Sequence, residues 1–228
     1  NILRDLGNLQ DAEVSTRKAI KLKPDFAEAH SNLGNILRDL GNLQDAEVST
    51  RKAIKLKPNF AEAHSNLGNI LRDLRNLQDA EVSTRKAIEL NPNFAEAHSN
   101  LGAILRDLGN LQDAEISTRK AIELNPNFAQ AHSNLGGILR DLGSLQDAEL
   151  STLKAIELNP NYAEAYSNLG SILRDLGNLQ EAKVSTSKAI ELNPNYAEAY
   201  SNLGGIFSDL SNFNAAINQY NKAIQLNN

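Results

Sequence analysis

The segment AEAHSNLGNILRDLRNLQDAEVSTRKAIELNPNF, residues 61–94, decides the fold. Its neighbour over 27–60 differs at three places only: Gly41 stands for Arg75, Lys55 for Glu89 and Lys57 for Asn91. Further copies fill 95–128, 129–162 and 163–196, with a partial copy over 1–26 and a nearly complete one over 197–228. A 34-residue period running through a whole chain marks a stacked array, in which each unit buries its apolar face against its neighbours. The chain is therefore expected to form one array over 1–228.

Each copy reads as two helices. At 100° per residue, Ala61, Ala63, His64, Leu67, Gly68, Ile70, Leu71 and Leu74 share one side of the first helix. Glu62, Ser65, Asn66, Asn69, Arg72 and Asp73 share the other, an arc only about 120° wide, so the helix is largely buried with one wet stripe. Asn59 is placed to cap this helix, with Glu62 completing a capping box. Asn76 is placed to cap the second, whose core face is Leu77, Ala80, Thr84, Ala87, Ile88 and Leu90. Pro92 ends it, because proline cannot continue a helix and disfavours helical geometry at Asn91. Glycine at the inter-helix turn (Gly7, Gly41, Gly109, Gly143, Gly177) suits a left-handed terminus, with Arg75 and Ser211 as replacements. Gly68 and its copies sit mid-helix instead, where each costs roughly 1 kcal/mol against alanine. That cost implies a neighbouring helix that must come close, an approach that Ala80 and Ala87 permit from their side.

Leu67, Gly68, Ala80, Ala87 and Pro92 carry a resemblance to the tetratricopeptide repeat (TPR) family over essentially the whole chain. The resemblance implies an all-α solenoid of antiparallel helix pairs wound into a right-handed superhelix, with first helices lining the concave face. The chain departs from the family at two positions. His30, His64, His98 and His132, then Tyr166 and Tyr200, stand where the family favours tryptophan. Thr16, Thr50, Thr84, Thr118, Thr152 and Thr186 replace a large aromatic that only Tyr220 restores.

Composition narrows the function. Net charge is −5, divided between residues 1–60, with 10 basic against 8 acidic groups, and 61–228, with 13 against 20. Nucleic acid is not the expected partner of such a surface. No apolar run reaches the roughly 18–20 residues that span a bilayer, so no membrane partner is expected and a cytoplasmic setting is. Without cysteine, thiol catalysis and zinc–thiolate sites are excluded. The chain begins at Asn1 and lacks methionine, which points to an internal fragment of a longer protein.

Catalytic and metal sites are not expected. The four histidines belong to separate repeats about 8–10 Å apart, too far to converge on zinc at roughly 2 Å, and read as packing residues. Serine, histidine and aspartate recur as ladders rather than as one unique constellation. No phosphate loop is present, and no cofactor is expected.

The wet stripe is the candidate site. Its asparagines are Asn32, Asn66, Asn100, Asn134, Asn168 and Asn202. A primary amide both donates and accepts, so it can grip the C=O and N–H of an extended peptide regardless of side chains. With repeats about 10 Å apart and about 3.3 Å per extended residue, successive rungs meet every third residue. The AHSNLG motif is similar to the TPR arm of O-linked N-acetylglucosamine transferases, and that likeness implies an asparagine ladder holding an acceptor polypeptide. Asn35 and Asn69 share the arc, a position that becomes Ala103, Gly137, Ser171 and Gly205, which implies a groove floor widening toward the C-terminus. Arg38, Arg72, Arg106, Arg140 and Arg174 are each followed by Asp39, Asp73, Asp107, Asp141 or Asp175. These neighbours either read partner charges or neutralise each other at a solvated edge. Glu28, Glu62, Glu96, Glu164 and Glu198 would repel an acidic tail, against a carboxylate clamp.

Three functions follow as expectations. The first is a non-catalytic scaffold that binds an extended protein or peptide segment along the groove. The second is the substrate-recruiting arm of a larger glycosyltransferase-type enzyme. The third is an array that self-associates head to tail through incompletely capped ends.

Overall fold

The computed structural model describes residues 8–227. The six-residue stub Asn1–Leu6, the turn glycine Gly7 and Asn228 lie outside them. Thirteen helices are described, and they divide into two compact units, 1–124 and 125–228. The first unit holds α1 (Leu9–Leu22), α2 (Ala27–Asp39), α3 (Leu43–Leu56), α4 (Ala61–Asp73), α5 (Leu77–Leu90), α6 (Ala95–Asp107) and α7 (Leu111–Leu124). The second holds α8 (Ala129–Asp141), α9 (Leu145–Leu158), α10 (Ala163–Asp175), α11 (Leu179–Leu192), α12 (Ala197–Asp209) and α13 (Phe213–Leu226). We call the first helix of each repeat A and the second B.

Three successive repeats contribute to each core layer. Leu67 and Leu71 of α4 pack with Ala80 of α5 and Ile104 of α6, and Ile54 and Leu108 close the layer from either side. The same layer recurs at Leu33, Leu37, Ala46 and Ile70, and in the second unit at Leu169, Leu173, Ala182 and Ile206. Such side chains are buried only by their neighbours, which is why the unit of stability is the stack.

The mid-helix glycines mark where helix B crosses helix A. A Cβ on Gly68 would lie 2.0 Å from Thr84 Oγ1 and 3.2 Å from the Ala80 carbonyl oxygen. Thr84 answers its own burial by donating to that carbonyl at 2.8 Å. At Gly204 the ring of Tyr220 takes the threonine's place, 2.8 Å from where a Cβ would stand.

Helix ends agree with the sequence in part. Arg75 (φ 62°) and Ser211 (φ 60°) adopt the left-handed conformation, as does Gly41 (φ 82°). The Asn76 N–H reaches the Leu71 carbonyl at 2.8 Å and the Arg75 N–H reaches that of Arg72 at 2.9 Å, closing a Schellman terminus. The expected capping box is absent. Phe60, not Asn59, occupies the N-cap of α4 and makes no side-chain cap bond. Its carbonyl accepts from Ala63 and His64, so Asn59 sits one residue too early. Asn76 holds the cap position of α5, yet its Nδ2 donates to Asp79 Oδ2 at 2.8 Å rather than its oxygen capping the helix.

Two glycine-to-alanine substitutions separate crowding from conformation. Gly68→Ala is expected to destabilise by roughly 2 kcal/mol despite alanine's helix propensity, because its methyl overlaps Thr84 and backbone. Gly41→Ala meets nothing within 4 Å and is expected to cost only about 1 kcal/mol, from its positive φ. Urea midpoints of the two variants check this ordering.

Candidate functional site

The wet stripe of the A helices is a network between repeats. Asn66 Nδ2 donates to Ser31 Oγ at 3.0 Å and Asn100 Nδ2 to Ser65 Oγ at 3.0 Å. In the second unit Asn168 donates to Ser133 at 3.0 Å and Asn202 to Ser167 at 2.9 Å. The serines do not share the solvated face as the helical wheel implies: Ser31, Ser65, Ser99, Ser133 and Ser167 are buried. One helix drawn alone omits the next repeat, whose asparagine covers the hydroxyl. The four donating asparagines stay half-exposed, and their side chains make no other hydrogen bond among the described residues. Asn32 is exposed, and Asn134 is half-buried and engaged.

Arginine and aspartate form a second ladder. Arg38 Nε meets Asp73 Oδ2 at 2.5 Å and Arg72 meets Asp107 at 2.6 Å. Arg140 meets Asp175 at 2.5 Å, and Arg174 grips Asp209 through Nε at 2.5 Å and Nη2 at 3.1 Å. Arg38 therefore bonds Asp73 of the next repeat, not its sequence neighbour Asp39, and Arg174 bonds Asp209 likewise. Adjacent residues on a helix point about 100° apart, while residues 35 apart face one another across the stack. Asp39, Arg106 and Asp141 are engaged as well.

The expected widening of the groove floor is overturned. Ala103, Gly137, Ser171 and Gly205 are buried, whereas Asn35 and Asn69 are half-buried. A Cβ on Gly205 would lie 2.5 Å from Arg174 Nη1. The small residue there makes room for the guanidinium on its way to Asp209.

The histidines are structural. His30, His64, His98 and His132 place Nε2 at 2.9–3.0 Å from the carbonyl oxygens of Pro24, Pro58, Pro92 and Pro126. That contact requires the proton on Nε2 and ties each A helix to the turn before it. Among the described residues no group of three or more His, Cys, Asp or Glu side chains is placed to hold a metal ion. No described helix is long and apolar enough to cross a membrane.

Two features escaped the sequence reading. The B helices expose Val14, Val48, Val82, Ile116, Leu150 and Val184, and in the first unit cavities of about 520 and 480 Å³ open beside Val48 and Ile116. The valine of the recurring EVST was the available signal. The second is the aromatic N-cap position. Phe26, Phe60, Phe94 and Phe128 give way to Tyr162 and Tyr196, whose hydroxyls lie against Ser133 and Ser167 of the ladder. Burial, with the Glu164 charge second, pushes the Tyr162 phenol up to about 12. Burial, then Glu198 and Glu164, pushes Tyr196 further up.

Stacked antiparallel helix pairs with a shared interior place the protein among the α-solenoids. Within that class the chain belongs to the tetratricopeptide repeat family: one profile of that name matches 27–60, 61–94, 95–128 and 163–196. Further TPR profiles match 1–41, 129–162 and 186–225. Members generally act through protein–protein contacts. Among curated proteins none matches the sequence. Several solved structures are similar. A chain of the APC/C hetero-tetramer Cut9–Hcn1 aligns with TM-score 0.89 at 16% identity, over 98% of this chain and 44% of that one. This protein thus spans less than half the length of that relative. YrrB, described as a TPR protein with an unusual peptide-binding site, aligns with TM-score 0.53 at 26% identity, over 81% of this chain and 95% of that one. MamA aligns with TM-score 0.55 at 27% identity, covering 71% and 94%.

The Arg174–Asp209 bridge gives a pH prediction. Hydrogen bonding to Arg174 holds the Asp209 carboxyl below its ordinary value, and the same contact raises Arg174. The bridge therefore contributes fully above the ordinary carboxylate pKa and is lost as pH falls through the lowered Asp209 value. Carboxyl NMR titration is expected to place Asp209 below the ordinary carboxylate value, and Asp209→Asn to remove that part of the acid-side stability loss.

Proposed function

We propose that the A-helix face binds a polypeptide in extended conformation, with the asparagine amides as its grip. The state of those amides carries this reading. One N–H each of Asn66, Asn100, Asn168 and Asn202 is committed to a serine of the preceding repeat, which fixes the plane of the amide. The oxygen and the second N–H remain for a ligand. A peptide group offers the complementary acceptor and donor, and a side chain already immobilised loses little entropy on binding it. The recurrence at Asn66 and Asn100, and again at Asn168 and Asn202, suits a ligand that repeats, which a polypeptide backbone does. YrrB, whose description names a peptide-binding site, supports the same reading by similarity. Asn32, Asn134, the Arg–Asp ladder and Asn35 and Asn69 complete the proposed surface.

The recruiting arm of a glycosyltransferase rests on the AHSNLG motif and gives the same grip a different destination. Transferase activity of the natural full-length product would test it. Head-to-tail association of two copies is favoured by Phe213, Ile217 and Ile224, which α13 exposes by more than half. A light-scattering mass that stays monomeric at high concentration would exclude it.

Grip and scaffold separate experimentally at Asn32. Asn100→Ala strips a partner from the buried Ser65 hydroxyl and is expected to cost about 1 kcal/mol of stability along with affinity. The Asn32 side chain makes no hydrogen bond among the described residues, so Asn32→Ala is expected to leave the urea midpoint unchanged and to weaken peptide-library binding about fivefold. Library binding unchanged in an Asn32→Ala, Asn66→Ala, Asn100→Ala variant that keeps its helicity would refute the ladder.

A further inference from the structure

Lys57 shows how this repeat receives a cation. Its Nζ lies 2.8 Å from Glu28 Oε1 and 4.5 Å from the centroid of the Phe60 ring. A carboxylate and an aromatic face thus hold one ammonium between them. The hydrogen bond from Lys57 keeps the Glu28 carboxyl below its usual value. Glu28 belongs to the first turn of α2, and Phe60 is the residue from which α4 starts.

The 34-residue register carries this pair onward. It becomes Glu62 with Phe94 inside the first unit and Glu164 with Tyr196 inside the second. The ammonium does not travel with it, because Asn91 and Asn193 occupy the positions equivalent to Lys57. Glu62 and Glu164 have exposed side chains, and neither makes an ion pair among the described residues. At the second position a further carboxylate converges: Glu198 Oε2 accepts from the Tyr196 hydroxyl at 3.3 Å, and both glutamates act on that phenol. The carboxylate and the ring persist at both places while the cation that fills the first is missing.

We propose that Glu62 with Phe94, and Glu164 with Tyr196 and Glu198, are subsites for lysine side chains of the polypeptide bound along the A-helix face. The proposal rests on the peptide-binding reading and adds a side-chain preference to a grip that otherwise ignores side chains. Lysine is the residue of choice because the occupied copy holds a primary ammonium on a flexible stem. The site also lies at the start of each A helix, on the same face as the asparagines. A bound segment that crosses the amides passes it.

The test uses the whole chain and two labelled peptides of repeating Gly-Ser-Lys triplets, acetylated and amidated at their ends. One carries free lysine, the other Nε-acetyl-lysine. The free-lysine peptide is expected to bind about tenfold more tightly by fluorescence anisotropy, from two partly exposed cation subsites. Glu62→Gln, Glu164→Gln and Glu198→Gln together are expected to erase that preference without weakening the acetyl-lysine peptide. Asn91→Lys with Asn193→Lys, which returns an internal ammonium to each subsite, is expected to erase it too. A control neutralises Glu123, Glu157 and Glu191 to glutamine. These pair with lysines of their own B helices, and the preference should survive.

Equal affinity for the two peptides, a preference that survives the triple glutamate variant, or one lost equally in the control would each overturn the proposal. If the peptides bind equally well, the lysine subsites fail while backbone binding stands. If neither binds, the peptide-binding reading fails, and Nα-acetyl-lysine methylamide then tests the subsites alone. Saturable NMR shifts of the Phe94 and Tyr196 rings, absent from the triple glutamate variant, would uphold them; no shift would overturn them.

Discussion

A threonine hydroxyl pressed onto a glycine sets the spacing of the full repeats. Where Thr84 crosses Gly68 there is no room for a single methyl group. The glycine costs about 1 kcal/mol of helix propensity. The close approach it permits brings Ala80 and Ala87 into complete burial. Elsewhere in the family an aromatic fills this crossing, as Tyr220 does in the last repeat. Threonine does so with less volume and satisfies its own hydroxyl on the preceding turn. Helices A and B thus cross closely, and the A helices of successive repeats meet through short side chains.

That nearness makes the polar face possible. A serine and an asparagine are among the shortest polar side chains, and they bridge two A helices directly at 3.0 Å. Two ladders then run along one face in opposite senses. Asparagine of a later repeat donates back to serine, while arginine of an earlier repeat donates forward to aspartate. Within each unit, neighbouring A helices are joined by both ladders, as Ser31–Asn66 with Arg38–Asp73 and Ser167–Asn202 with Arg174–Asp209 show. Partly exposed ion pairs contribute little each, so their main effect is to order the side chains of this surface.

The architecture was legible in the sequence because it is periodic. Leucine, alanine and glycine at 34-residue intervals reported the helices, their crossing and their turns, down to the left-handed Arg75 and Ser211. The site was legible only in outline. A wheel assigns directions within one helix and is blind to what a neighbouring repeat brings, so it placed Ser65 in solvent. Nor can a wheel pair Arg38 with Asp73, which stands one repeat away. The small residues at 103, 137, 171 and 205 look like an open floor until the arginine beneath which Gly205 lies is known. The cap at Asn59 failed for a different reason. Helix start is decided by where the backbone turns, and the turn after Pro58 completes at Phe60.

Near-identical copies change what counts as information. Where five repeats agree, agreement follows from duplication as readily as from use, and the asparagines alone do not tell the two apart. Departures are more discriminating, because each one breaks a pattern that copying would have kept. Histidine becoming tyrosine at Tyr166 and Tyr200 gives up the bond to the proline carbonyl. Phenylalanine becoming tyrosine at Tyr162 and Tyr196 brings a hydroxyl to the serine of the ladder. Lysine becoming asparagine after Lys57 uncovers a carboxylate and a ring that had held its ammonium. On the proposed reading, the constant part of the face addresses what every polypeptide shares, its backbone. The varied part lies beside it, at the starts of the A helices, where side chains of a bound segment would be distinguished.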